Sequence, residues 1–401
     1  MSSLPVPQRA RRTPASPIRK LAPLAQAAAA AGTKVYHLNI GQPDIKSPKE
    51  FFDGLQQFHE SVIAYEPSQG SPSLCDAWSR YTNRTLKLNT KPEHFQITMG
   101  GSEALLFAFM ACSDPGDEVL IFDPTYSNYI GFAAMSGITL IPVPTSIENE
   151  FALPSREEIE RYITPKTRAI LFCSPNNPTG TIYTHKEQQR LIDISKDRNL
   201  YLIADETYRE FIYDGSEPFS IFHLDQACEN IIVVDSMSKR FSLTGSRIGC
   251  LITCNEEILK TCLHFAQARL SCPTLEQYAT AYMLDHISDD FVKAIQVEYR
   301  HRRDTLHHAL SALPGVTSFK PHGAFYTLAK LPVENAEEFA RFMLSEFSFA
   351  GATTFVAPGA GFYCTEGRGK DEVRIAYVLQ AEDIEKAVEL LGLGLEAFLK
   401  R

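Results

Sequence analysis

The sequence predicts an α/β protein: a large domain built on a mostly parallel, seven-stranded sheet flanked by helices, with a smaller α+β domain beside it. Three observations carry this. The 401 residues are roughly two to three times a usual single-domain length, so one large domain with an appendage, or two domains, is expected. From about residue 95 to 255, short apolar runs alternate with helical patterns, as in repeated strand-helix units around a parallel sheet. Beyond that block, one long polar-apolar stretch leads into a separate set of strand patterns.

Strand patterns fall at 95–99, 118–122, 139–143, 168–173, 201–205, 231–235 and 248–253. Several are apolar on both faces, as parallel strands covered by helices are. Between them, 102–112, 128–135, 155–162 and 186–198 show helical spacing, punctuated by Pro115-Gly116 and Pro178-Thr179-Gly180. The stretch 291–313 reads as one helix, stopped by Pro314-Gly315. Strand patterns follow at 324–328 and 373–378, and a terminal helix runs from 381 to 399.

Composition excludes several classes. Hydrophobic residues make up 44% and charged ones 22%, the balance of an ordinary folded protein. A net charge of −9 argues against a general binder of nucleic acid or acidic membrane, so a small-molecule partner is expected. The nine cysteines form no CxxC pair and no Cys/His cluster at zinc spacing; they read as reduced thiols in a cytosol-like compartment, with no metal site. No window of 18 uncharged apolar residues exists, so no membrane span is expected. Residues 1–43 lack Asp and Glu but carry Arg9, Arg11, Arg12, Arg19, Lys20 and Lys34. An N-terminal arm of a cytoplasmic protein is the expectation, and organellar targeting is the alternative.

Open parallel sheets bind ligands beyond the carboxyl ends of their strands. After the first strand comes Gly100-Gly101-Ser102-Glu103 and a helix, where free N–H groups and the helix dipole suit a phosphate; a simple cap is the plainer reading. After the fourth comes Ser174-Pro175-Asn176-Asn177-Pro178-Thr179-Gly180, a turn stiffened by prolines with Asn amides free to donate. Asp205 ends the fifth strand and precedes Glu206-Thr207-Tyr208; a carboxylate there is either a cap or the counter-ion of something cationic. After the sixth, Ser236, Ser238, Lys239 and Arg247 share one segment. A lysine pressed among apolar strands can lose its proton and act as an amine nucleophile.

Ser-Pro-Asn-Asn-Pro-Thr-Gly at 174–180, Asp205 with Tyr208, Ser-x-Ser-Lys at 236–239 and Arg247 stand in one order and spacing. In these residues the chain resembles the fold-type I, pyridoxal-phosphate-dependent aminotransferases of class I and II, the aspartate aminotransferase group. The resemblance runs from about Asn39-Ile40-Gly41-Gln42-Pro43-Asp44 to Val373-Arg374-Ile375-Ala376-Tyr377. It implies that Lys239 forms the Schiff base with pyridoxal 5'-phosphate and shuttles a proton, and that Asp205 pairs with the protonated pyridine nitrogen. It further implies that Tyr208 and Asn177 donate to the phenolate oxygen and that Tyr126 stacks on the ring. Gly101, Ser102, Glu103, Ser236, Ser238 and Arg247 would hold the phosphate, joined by Tyr65 from a neighbouring subunit.

Arg374 would grip the substrate α-carboxylate, with Asn177 and the Gly41 backbone assisting. The implied protein is a homodimer with active sites at the subunit interface, acting by ping-pong exchange between an L-amino acid, aspartate or glutamate first, and a 2-oxo acid. The implied organisation is an arm and part of the small domain at 1–45, a large cofactor-binding domain at 46–295, and an interdomain helix with the rest of the small domain at 296–401. Carbon-sulfur β-lyases and aminocyclopropane-carboxylate synthases share most of these motifs and form the alternative. A cofactor-binding regulator is disfavoured, because no DNA-binding module precedes the matched region. Arg19 and Lys20 are candidates for a second positive charge toward a dicarboxylic substrate; a solvated surface position is the default for both.

Overall fold

The structure, a computed structural model, describes residues 4–401, except for the side chains of Arg9 and Arg12. The first three residues of the N-terminal arm lie outside the described residues. All seven expected strands are present: β1 (Phe95–Thr98), β2 (Glu118–Asp123), β3 (Thr139–Pro144), β4 (Thr167–Cys173), β5 (Tyr201–Asp205), β6 (Ile231–Ser236) and β7 (Gly249–Ile252). They form one sheet in the order β1-β7-β6-β5-β4-β2-β3. Only β7 runs against its neighbours, so the sheet is mostly parallel.

Alternation within the strands builds the two faces. Phe95, Leu120, Ile170, Leu202 and Val233 pack on one side with the fully buried Trp78. Val119, Ile121, Leu171, Ile203 and Val234 pack on the other against the helix Gly101–Cys112. Strand β3 pairs on one side only, and that edge position accommodates Pro142 and Pro144, which have no N–H to give a ladder. The face bearing Trp78 is closed by Pro72–Leu86, capped by Ser71, and by Thr274–His286, which packs on it. Neither helix stands out in the sequence, since both bury polar residues such as Ser79, Thr82, Gln277 and Thr280.

The expected long helix is present as Asp289–Ser311, capped by Ser288. It leads to an antiparallel sheet in which Tyr326–Lys330 pairs with Glu372–Ala376, flanked by Thr317–Ser318 and Ala357–Pro358. Lys34–His37 pairs in parallel with Ala352–Phe355, more than three hundred residues later. Leu21, Ala25, Tyr36 and Leu38 accordingly share a core with Phe339, Met343, Ile375 and Leu391. The smaller α+β layer is therefore built from both termini.

Candidate active site

The carboxyl ends of β4, β5 and β6 and the start of the helix after β1 converge on one cleft. Gly101, Ser102, Tyr126, Asn177, Asp205, Tyr208, Ser236, Ser238, Lys239 and Arg247 line it, together with Leu105, Tyr129, Cys173, Thr207 and Thr244. Because β7 reverses direction, the segment between β6 and β7 stays at this end of the sheet and brings Lys239 and Arg247 to the same side.

Lys239 Nζ donates to the Gly41 carbonyl at 2.8 Å. Burial pushes its pKa down to about 8, and the guanidinium groups of Arg374 and Arg247 push the same way. Asp205 is buried; it accepts from the Tyr129 hydroxyl at 2.6 Å and the Thr207 N–H at 3.1 Å. Burial raises its pKa, and among the described residues no cation pairs with it. Thus a part-buried amine that gives up its proton easily shares a cleft with a buried carboxylate that lacks a counter-ion.

The third part is an anion cradle. The first N–H groups of the helix Gly101–Cys112 have no intrahelical acceptor, and the serine pair Ser236 and Ser238 stands beside them, their hydroxyls 3.0 Å apart. Arg247 adopts φ +56°, a conformation rare for a side-chain-bearing residue, and donates to the carbonyls of Thr244 and Met99. Two glycines permit this approach. A Cβ on Gly100, itself at φ +78°, would fall 2.4 Å from an Arg247 nitrogen, and one on Gly249 would fall 2.4 Å from the Gly100 carbonyl carbon.

Arg374 is fully buried, donating to Asn177 Oδ1 at 3.1 Å and to the Asn39 carbonyl at 2.6 Å. Its Nε has no partner, and rings of Tyr326 and Phe362 flank its guanidinium at 4.5 and 4.7 Å. Such a group is prepared for a carboxylate.

Three expected residues stand elsewhere. Glu103 is engaged in the protein itself: its carboxylate accepts from Met99 N–H and pairs with Arg269, while its N–H goes to the Gly100 carbonyl, so it caps the helix. Tyr65 is 79% exposed and outside the cleft of its own chain. Lys20 is paired with Glu337 at 2.8 Å on the exposed arm. Arg19 is exposed as well, but its charge acts on Tyr126, which lines the cleft.

Two features escape the sequence because they join distant segments. Behind the cleft, buried Arg209 and Arg240 pair with Glu206, Glu210 and Asp235, and Asp235 also accepts from Trp78 Nε1 at 3.3 Å. This network ties the residues after Asp205 to those around Lys239. The second is Tyr326, whose hydroxyl lies 3.0 Å from that of Tyr208.

Comparison with known proteins agrees with the geometry. The family model "Aminotransferase class I and II" matches residues 33–391. The aromatic-amino-acid aminotransferase 2 of Thermococcus litoralis is 32% identical over 93% of this chain and 94% of its own length. The aspartate/prephenate aminotransferase of Thermus thermophilus is 33% identical over 89% of this chain and 90% of its own. Among solved structures, the Thermus thermophilus aspartate aminotransferase with maleate superposes with a TM-score of 0.88 at 29% identity, covering 98% of this chain and all of that one. An α/β enzyme with a part-buried lysine, a buried carboxylate and an anion cradle in one cleft is the class defined here. The chain belongs to the class I and II aminotransferase family. Its activity is that of an aminotransferase. Among the described residues, no helix is long and apolar enough to cross a membrane, and no cluster of metal-binding side chains occurs.

Proposed function

We propose that the protein moves an amino group between an L-amino acid, aspartate or glutamate first, and a 2-oxo acid by a ping-pong mechanism, using pyridoxal 5'-phosphate. The observation that carries this is the pairing, in one cleft, of Lys239, held near neutrality, with the unpaired carboxylate of Asp205. The donor set suits that cofactor: an amine for its aldehyde, a carboxylate for its pyridinium, and N–H, hydroxyl and guanidinium groups for its phosphate. When bound, the cofactor supplies an aldehyde that takes up the substrate amine and a ring that withdraws electrons from the substrate Cα.

The chain's own residues do the rest. Gly101, Ser102, Ser236, Ser238 and Arg247 bind the phosphate, and Tyr126 covers the ring. Asp205 holds the ring-nitrogen proton, its carboxylate kept in place by Tyr129 and Thr207. Tyr208 and Asn177 donate to the phenolate oxygen. Arg374, with Asn177 and the Gly41 backbone, orients the substrate by its α-carboxylate. Lys239 Nζ, an amine that burial makes easier to deprotonate, would take the proton from the substrate Cα and deliver it two bonds away, to the carbon that was the cofactor's aldehyde.

The exposed Tyr65, with Val62 and Ile63 beside it at 69% and 62% exposure, supports a homodimer in which Tyr65 completes the phosphate site of the neighbouring subunit. The two layers support a division into an arm with part of the small domain (1–45), a large domain (46–295) and the remainder (296–401). A cytoplasmic location fits the thiols. The test is the visible spectrum of the purified protein before and after L-aspartate, with no acceptor present. Loss of a borohydride-sensitive visible band with one equivalent of oxaloacetate released supports the reading; a stable band removes aspartate as donor, and no band after pyridoxal phosphate is added removes Lys239 from its role.

A further inference from the structure

Tyr208 sits in a chain of hydrogen bonds whose direction can be worked out. Arg374 Nη1 donates to Asn177 Oδ1 at 3.1 Å, which fixes the amide so that its nitrogen faces Tyr208 and donates to that hydroxyl at 3.3 Å. A phenol oxygen has one proton to give and two lone pairs to fill. Asn177 fills one lone pair. The Tyr326 hydroxyl, 3.0 Å away, faces the same oxygen, and at that separation either can donate. Were Tyr208 the donor, its only proton would be spent on Tyr326, and it would present nothing to the cleft it lines. With Tyr326 donating, both lone pairs are filled and the proton of Tyr208 points to the remaining direction, the cleft.

We propose that Tyr326 is a positioning residue for Tyr208: its hydroxyl donates to the Tyr208 oxygen and thereby directs the Tyr208 proton onto the acceptor in the cleft. This rests on the reading above that Tyr208 bonds the cofactor's phenolate oxygen. Tyr326 is held for the task. Its strand pairs with Glu372–Ala376, and its ring lies 4.5 Å from the Arg374 guanidinium and edge-on to Tyr208. The residue opposite is Gly41, where a Cβ would fall 1.8 Å from the Tyr326 oxygen, so only glycine leaves room for the hydroxyl.

The test uses the enzyme loaded with pyridoxal phosphate and reads the pH midpoint of its visible absorption change, alongside cofactor content and thermal unfolding. Tyr326→Phe keeps the ring and removes only the donor. A weaker bond from Tyr208 leaves the phenolate less stabilised and the protonated form favoured, so the midpoint moves up by about half a pH unit, a roughly threefold change in equilibrium. Tyr208→Phe moves it further, and adding Tyr326→Phe to that variant moves it no more. A shift in Tyr208→Phe with none in Tyr326→Phe overturns the role of Tyr326 alone. No shift in either removes Tyr208 from the cofactor, and both readings fall together. Equal, additive shifts in the double variant also overturn the proposal, because Tyr326 would then act without Tyr208.

Discussion

Lys239 is a poorly solvated amine flanked by two guanidinium groups, and its chemistry follows from that setting. With a pKa lowered from 10.5 to about 8, it is partly neutral at physiological pH. Capture of pyridoxal phosphate by the cofactor-free protein should therefore accelerate with pH around a midpoint near 8, measured by stopped-flow absorbance. The stability effect has a definite sign. Between about pH 8 and 10.5 the unfolded lysine binds a proton that the folded one does not, so stability of the cofactor-free protein rises with pH across that window. Lys239→Met should be the more stable form at pH 7, with the difference gone by pH 10.5, as read by urea unfolding. Asp205→Asn keeps the shape and removes the charge; losing a charge-assisted bond of about 1.5–3 kcal/mol should lower kcat roughly 10- to 100-fold. Lys239, Asp205, Asn177 and Arg247 are legible in the sequence because each lies within a few residues of a strand end. Tyr326 and Arg209 are not, since their roles depend on contacts with segments 118 and 26 residues away.

The strand-to-loop junctions that carry these residues are braced from behind by ion pairs. Asp235, at the end of β6, meets both Arg209 and Arg240 with no solvent exposure. Replacing it with Ala leaves two buried guanidinium groups short of a partner, a loss of about 3–5 kcal/mol in unfolding free energy. Urea titration of the loaded enzyme checks this, and a loss below 1 kcal/mol would show the network to be incidental. The strands were readable because burial on both faces leaves continuous apolar runs. The helices Pro72–Leu86 and Thr274–His286 were not, because their buried faces mix apolar with polar side chains and blur the 3.6-residue period.

For the whole molecule, the exposed segment around Tyr65 sets the expectation. Sedimentation should give twice the 44.8 kDa chain mass, and Tyr65→Phe should weaken cofactor retention roughly 10- to 100-fold on losing a hydrogen bond to a charged group, without changing the sedimentation coefficient. A monomeric wild type at micromolar concentration would refute the shared site. That the smaller layer draws on both termini was legible only through family resemblance, since nothing local in Lys34–His37 announces pairing with Ala352–Phe355. The close approach of Gly249 to Gly100 has a different kind of consequence. In a saturating library selected for growth on the enzyme's product, position 249 should accept glycine alone, although it lines no part of the cleft. Sequence drift in this lineage is thus constrained at a position where the chemistry asks for nothing and only the spacing of two backbones forbids change.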